Sequence, residues 1–160
     1  MSEQAIESFW ADAKVRANLN RLRAYTGSNA QESLRPPAWS FGATADQADR
    51  LLALVLDGTK TATSSALRDY DSGEEPVPTV GTLSIITDGA GMPRALITTT
   101  DVRIVPFGDV DAEHARLEGE GDLSLEHWRD VHHEFFTETG GEVTDDTEIV
   151  MERFKVLWKP

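Results

Sequence analysis

The 160-residue chain carries 28 aspartate and glutamate residues against 15 lysine and arginine residues, a formal net charge of −13. This length is typical of a single domain that buries its own core, and 39% hydrophobic residues fit a globular protein. The absence of cysteine excludes disulfides, thiolate zinc sites and cysteine nucleophiles, and the acidic excess disfavours a protein that grips long nucleic acid nonspecifically.

The first predicted element is an amphipathic helix over residues 3–19, because its apolar residues recur at helical spacing. Residues 26–42 are rich in turn formers, which is typical of a loop or the entry to a strand. A second helix is expected to begin at Thr44, which forms a capping-box pattern with Gln47. Gly58 stands where a left-handed C-terminal cap is expected after the leucine-rich run.

After Gly58 the hydrophobic pattern changes from the period of a helix to that of strands. Strands are predicted over residues 60–67, 82–88, 94–107 and 147–158. Residues 108–122 are expected to hold a short helix and an acidic, glycine-broken loop, and residues 123–136 a longer helix. This mixture predicts an α+β fold, a small barrel or curled sheet flanked by helices.

Four segments, in this order, resemble the ASCH superfamily, whose fold is a β-barrel related to the PUA domain. They read LDGTKTAT, VGTLSII, VRIVPFGDVDAEHARLEGEGDLSLEHWRDVH and MERFKVLW. The resemblance covers roughly residues 39–158 and implies a PUA-like ASCH domain over 39–160. Residues 1–38 then form an N-terminal helical extension, whose apolar face either covers the barrel or makes a homodimer contact.

The resemblance also implies candidate catalytic residues. Some ASCH proteins are amidohydrolases that act on N4-acylated cytidines through a lysine, a threonine three residues later and a distant glutamate. The family's G-x-K-x-x-T pattern matches at Gly58, Lys60 and Thr63, and the family's H-A-x-x-E run places the glutamate at Glu118. Ser65 stands where those enzymes carry an arginine, so we expect it to contact the substrate.

The chemistry of such a set can be stated in general terms. A threonine hydroxyl needs a base, which a desolvated lysine supplies, and a partly buried glutamate can pass the proton to a leaving amine. The indole of Trp39 or Trp128 is expected to stack on the pyrimidine. Residues three apart in a strand point to opposite faces, so Lys60 and Thr63 can meet only if Lys60 precedes the strand or the strand is bulged.

Other interpretations of these strings compete. The GTKT string lacks the first glycine of a P-loop, which excludes that motif. The acidic run EGEGD is either a solvated loop, a proton-shuttling Glu118 or a site for a hard cation. The histidines do not form a metal-binding H-E-x-x-H motif, and we expect no metal and no cofactor.

Three functions therefore remain open from the sequence. The chain is an amidohydrolase of N4-acylated cytidine, a ribonuclease of single-stranded RNA, or a non-catalytic RNA-binding module. The expected partner is thus a nucleoside or single-stranded RNA. We expect a cytoplasmic protein without membrane contact, because no apolar run approaches the roughly 20 residues that span a bilayer.

Overall fold

The computed structural model describes residues 2–17 and 35–160. Most of the loop predicted at 26–42 and the last two residues of the first predicted helix lie outside the described residues. The helices are α1 Ser2–Arg16, α2 Ala45–Leu56, α3 Ala112–Glu118 and α4 Leu125–Gly140. The strands are β1 Ala38–Trp39, β2 Ala62–Ala66, β3 Leu83–Thr87, β4 Pro93–Pro106 and β5 Glu148–Trp158, and short 3₁₀ turns occupy Leu67–Tyr70 and Phe107–Asp109.

The strands form one mixed five-stranded sheet in the order β1-β3-β4-β5-β2. The β1–β3 pair is parallel, whereas β3–β4 and β2–β5 are antiparallel. The α+β fold with an N-terminal helix is therefore confirmed. In the described ranges, no helix has both the length and the apolar character that crossing a membrane requires.

The described residues divide into two compact units. Within the described ranges, the first comprises residues 2–17, 35–56, 83–98 and 155–160. Its core joins one face of α1 to β3 and β4, and the buried residues are Ile6, Phe9, Trp10, Ala13, Ile85 and Leu96. The amphipathic stripe of the first helix thus covers the sheet within this unit, which is the first of the two roles expected for it.

The predicted boundaries of the second helix are confirmed by its caps. The Gln47 backbone N–H donates to the Thr44 hydroxyl at 3.2 Å, and the Gln47 side chain accepts from the Ala43 N–H at 2.7 Å. Gly58 follows the helix with φ +85°, the left-handed conformation expected of a glycine cap. Lys60 comes next, two residues before β2 begins at Ala62.

The second unit comprises residues 57–82 and 99–154. In its core β2 and β5 pack with α3 and α4, and the buried residues are Ala66, Phe107, Val110, Ala115, Trp128, Phe136, Val143, Ile149 and Met151. The β2–β5 register pairs Ser64 with Met151 and Thr63 with Glu152. Because neighbouring residues of a strand point to opposite faces, Ser64 faces this core and Thr63 faces away from it.

Candidate functional site

Lys60 is buried, with 2% of its surface exposed. It lies in the turn between α2 and β2, as the position of Gly58 predicts. The backbone N–H of Thr61 donates to the Leu117 carbonyl at 2.8 Å, which ties this turn to the C-terminal end of α3. The tie brings the lysine to the segment that carries Glu118.

Glu118 is the last residue of α3 and is 1% exposed. Gly119 follows as a left-handed cap with φ +73°, and a Cβ there would lie 2.7 Å from the Thr59 carbonyl oxygen. Only a glycine allows the helix end to approach the lysine turn this closely. The start of the acidic run is therefore not a solvated loop, since it is packed against the turn.

The ammonium group of Lys60 lies between two carboxylates. Its Nζ is 3.4 Å from Glu118 Oε1 and 3.1 Å from Glu120 Oε2, and it also donates to the Glu118 carbonyl oxygen at 3.4 Å. Glu120 is the more exposed of the two acids, with 24% of its side chain exposed. The structure thus brings together Lys60 and Glu118, two of the three residues that the family motif implied.

The hydroxyl beside Glu118 is that of Ser64. Its Oγ donates to Glu118 Oε2 at 2.6 Å and lies 2.7 Å from His114 Nε2. His114 Nε2 is also 2.9 Å from the same carboxylate oxygen, whereas the buried Nδ1 of His114 has no hydrogen-bond partner. A carboxylate can only accept, and a buried N–H without an acceptor is costly, so the proton of His114 belongs on Nε2.

Helix α4 supplies the remaining contacts to Glu118. The indole N–H of Trp128 donates to Glu118 Oε2, and His132 Nε2 lies 3.3 Å from Oε1. The imidazole of His132 stacks on the Trp128 ring with 4.3 Å between centroids, and its Nδ1 donates to the Trp128 carbonyl at 2.9 Å. Since both partners of His132 are pure acceptors, this geometry favours the doubly protonated imidazolium.

These contacts determine how the site titrates. Burial alone would raise the pKa of Glu118, but the charges of Lys60 and His132 and the hydrogen bonds from His114 and His132 hold that pKa well below its ordinary value. Burial would likewise lower the pKa of His132, but the negative charge and hydrogen bond of Glu118 raise it above its ordinary value. Glu118 is therefore an anion at neutral pH, and His132 gains positive charge beside it.

Of the other residues predicted for the site, Trp128 contacts Glu118, whereas Thr63, Ser65 and Trp39 have other surroundings. Thr63 is half-buried on the face of β2 opposite to Ser64. Ser65, on that same opposite face, bonds Tyr70 Oη at 2.8 Å. Trp39 belongs to the first unit, where its ring packs edge-on against Phe41 at 4.8 Å. Trp128 is buried, and its indole N–H contacts Glu118. The catalytic role of Thr63 and substrate contact by Ser65, Trp39 and Trp128 stay predictions.

Glu118, Glu120 and His132 also offer a set of atoms suited to a metal ion, since one ligand atom of each lies within 4.8 Å of the others. Lys60 Nζ already contacts two of these three residues. A divalent cation would therefore have to displace the ammonium group or compete with its charge. In the described geometry lysine takes the position that a cation would need.

The contacts from Ser64, His114 and His132 were not predicted from the sequence, although part of the signal is there. His114 and Glu118 are four residues apart, as are Trp128 and His132. Side chains at this spacing share one helix face. Two such pairs on neighbouring predicted helices indicate polar side chains that can meet in one cluster.

Comparison with known proteins identifies the family of the chain. The family model of the ASCH domain matches residues 37–158. The chain belongs to the ASCH domain family. The ASCH domain has a PUA-like fold, and that superfamily is of the RNA-binding type. No curated protein matches the chain.

Two solved structures are similar to this one. Protein EF3133 from Enterococcus faecalis V583, described by the family model DUF984, is 33% identical with a TM-score of 0.76, over 96% of this chain and 88% of the other. The ASCH domain from Lactobacillus crispatus JV V101 is 31% identical with a TM-score of 0.71, over 89% of this chain and 94% of the other.

Proposed function

We propose that this ASCH protein is a hydrolase that removes the acyl group from an N4-acylated cytidine. The observation that carries the proposal is the buried contact of Lys60 with Glu118, 3.4 Å between Nζ and Oε1. The two residues are 58 positions apart in the chain. A buried lysine and glutamate with shared hydrogen bonds are typical of a catalytic centre.

Ser64 supplies the nucleophile in this proposal. Its hydroxyl oxygen attacks the acyl carbon, and its proton passes to Glu118 Oε2, which it already contacts at 2.6 Å. The carbonyl oxygen becomes an oxyanion that Lys60 Nζ–H stabilises. The bond from the acyl carbon to N4 then breaks, and the 4-amino group takes the proton from Glu118 as cytidine leaves.

A water molecule completes the reaction. It attacks the Ser64 ester, gives one proton through Glu118 back to the serine oxygen and releases the carboxylic acid. The sum is acylcytidine plus water giving cytidine plus carboxylic acid, with Ser64 restored. The family motif would assign the nucleophile to Thr63 instead.

Charge favours a neutral substrate over RNA. Lys60 and protonated His132 contribute two positive charges, and Glu118 and Glu120 contribute two negative charges, so the cluster has no excess of positive charge for a phosphodiester. The whole chain carries a net charge of −13. An uncharged nucleoside approaches such a protein without electrostatic repulsion.

The test is to incubate the purified protein with N4-acetylcytidine and, separately, with single-stranded RNA, each with and without EDTA. We expect cytidine and acetate to be released in both buffers while the RNA stays intact. RNA cleavage with an unchanged nucleoside would replace the proposal with a ribonuclease. RNA retention on a filter without turnover of either substrate would replace it with a binding module.

A further inference from the structure

The face of β2 that points away from Lys60 carries a second polar cluster. Thr63 lies directly opposite Glu152 in the β2–β5 register. Cβ atoms of such directly opposed residues are about 4.5–5.5 Å apart, so the two side chains are neighbours. Neither side chain is part of the Glu118 cluster, because Ser64 and Met151, one position along each strand, face that side.

Glu152 is a buried carboxyl group, with 7% of its surface exposed. Its Oε2 accepts a hydrogen bond from the Thr99 hydroxyl at 2.6 Å. Burial raises the pKa of Glu152, and the hydrogen bond from Thr99 only partly opposes this effect. Because Thr99 donates to Oε2, a proton on this carboxyl group belongs on Oε1, which makes Oε1 a donor and leaves Oε2 as an acceptor.

Residues with hydroxyl groups lie on the same face of β2. Thr63 and Ser65 alternate with the core-facing residues of β2 and are half-buried. The Tyr70 hydroxyl shares a hydrogen bond of 2.8 Å with Ser65 Oγ. Burial is the largest cause of the raised pKa of Tyr70, and the negative charge of Glu152 is a smaller one. The cluster thus combines one acid group with three half-buried hydroxyls that can donate or accept.

We propose that this face of β2 is a second binding site, which takes an uncharged ligand edge carrying a donor beside an acceptor, as in the pairing edge of a nucleobase. Protonated Glu152 reads that edge with two parallel hydrogen bonds. For a uracil ring, Oε1–H donates to O4 and Oε2 accepts from N3–H. Thr63 and Ser65 complete the site with hydroxyls for the flanking polar atoms.

This site is distinct from the Lys60–Glu118 cluster and does not depend on the hydrolase proposal. An ionised carboxylate has no hydrogen-bond donor. Its oxygens therefore cannot bond to the acceptor atom of the ligand edge. Binding therefore weakens as pH rises through the raised pKa of Glu152. Tyr70 is the other titratable side chain of this cluster, and Asp69 and Glu75 are its acidic neighbours. Burial raises the pKa of the Tyr70 phenol, so it stays protonated up to about pH 9.

Uridine is the probe, and 3-methyluridine, which lacks the N3–H, is its matched control. Both are titrated into the full chain from about pH 5 to about pH 9 while backbone amide shifts of Thr63 and Ser65 are followed by NMR. Near pH 5 we expect uridine to bind at least tenfold more tightly than 3-methyluridine. Near pH 9 we expect uridine binding to disappear. Equal binding of the two nucleosides, or no binding at any pH, overturns the proposal.

Variants separate recognition from folding. Glu152→Gln keeps one donor and one acceptor at the same place, so it should bind uridine with no dependence on pH. Glu152→Leu should lose at least tenfold in affinity for uridine. The control variant is Glu148→Gln, which changes an exposed acid of the same strand. If Glu152→Leu unfolds, the Gln variant decides: binding that still falls with rising pH shows that Glu152 serves only to hold Thr99.

The two proposals can fail separately. Uridine binding without deacylation of N4-acetylcytidine keeps this site and removes the hydrolase. Deacylation without a uridine-dependent shift at Thr63 or Ser65 removes this site and keeps the hydrolase.

Discussion

Lys60 and Glu118 meet in the interior of the second unit, with 3.4 Å between Nζ and Oε1 and no more than 2% of either side chain exposed. Glu118 accepts from Ser64, Trp128 and His132 as well, so one carboxylate organises three elements of the chain. A buried charge of this kind is tolerated because every oxygen has donors. The testable consequences concern stability, pH, the nucleophile and the close approach at Gly119.

Glu118→Gln should strongly destabilise the protein, because it removes the buried charge beside the Lys60 ammonium and leaves only the partly exposed Glu120 to balance it. Breaking a buried pair from one side costs about 3–5 kcal/mol. Urea unfolding at pH 7 measures the change in the free energy of unfolding. The matched control is Glu120→Gln, whose acid is partly exposed and should cost about 1 kcal/mol or less. Equal losses in the two variants would contradict a special role for Glu118.

The stability should fall on both sides of neutral pH for two different reasons. The pKa of Glu118 is lowered in the folded state, so its contribution is present above its ordinary value of 4.5 and is lost as pH falls through the folded pKa. The pKa of His132 is raised, so its contribution is present below its ordinary value of 6.5 and is lost as pH rises through the folded pKa.

His132→Gln isolates the alkaline side of that profile. The variant should lack the decline in unfolding free energy above about pH 6.5 that the wild-type protein shows. Chemical denaturation at a series of pH values measures the profile, and NMR titration of the His132 ring gives its pKa directly. A His132 pKa at or below 6.5 would mean that Glu118 does not hold the imidazolium.

The identity of the nucleophile can be tested by comparing two adjacent hydroxyls. Ser64 contacts Glu118, whereas Thr63 faces Glu152 across the β2–β5 pair. Ser64→Ala should reduce kcat for N4-acetylcytidine by at least about 100-fold, and more than Thr63→Val does. A larger loss of kcat in Thr63→Val than in Ser64→Ala would identify Thr63 as the nucleophile, as the family motif implies. It would also require the strand to shift register in the reacting state.

Gly119→Ala should cost more stability than Gly58→Ala, although both glycines have positive φ. A methyl group at Gly58 meets nothing within 4 Å, whereas at Gly119 it lies 2.7 Å from the Thr59 carbonyl oxygen. The cost at Gly58 is the conformational term of about 1 kcal/mol. The excess at Gly119, read from unfolding curves, measures how tightly the Glu118 segment is held against the lysine turn. No excess would contradict that close approach.

The sequence predicted the Lys60–Glu118 part of the site because each residue stands in a recognisable string. The capping box and Gly58 also located Lys60 in a turn before the strand, and the structure has it there. The string TATSS did not predict whether the hydroxyl of Thr63 or that of Ser64 lies beside Lys60 and Glu118. A shift of one residue in register exchanges the two faces of a strand. That register is determined by β5, almost 90 positions later in the chain.

The contacts of His132 and Trp128 depend on tertiary structure in the same way. Their helix was predicted, but not the direction in which Trp128 and His132 point. The rotation that turns these side chains toward Glu118 is fixed by packing between α3, α4 and the sheet, which a single sequence does not encode in any local pattern. Glu152 was hidden for a related reason, because an acid in a strand that also carries Glu148, Arg153 and Lys155 is equally consistent with an exposed residue.

The most direct test of the hydrolase is the rate of cytidine release from N4-acetylcytidine by the wild-type protein, Lys60→Met and Glu120→Gln, measured in EDTA. Because Lys60 supplies the donor to the oxyanion, its loss should reduce kcat/KM by at least about 100-fold. Glu120→Gln, which keeps Lys60 and Glu118, is expected to retain a larger share of the rate. Turnover that survives in folded Lys60→Met, or its absence from the wild-type protein, would contradict the proposed function.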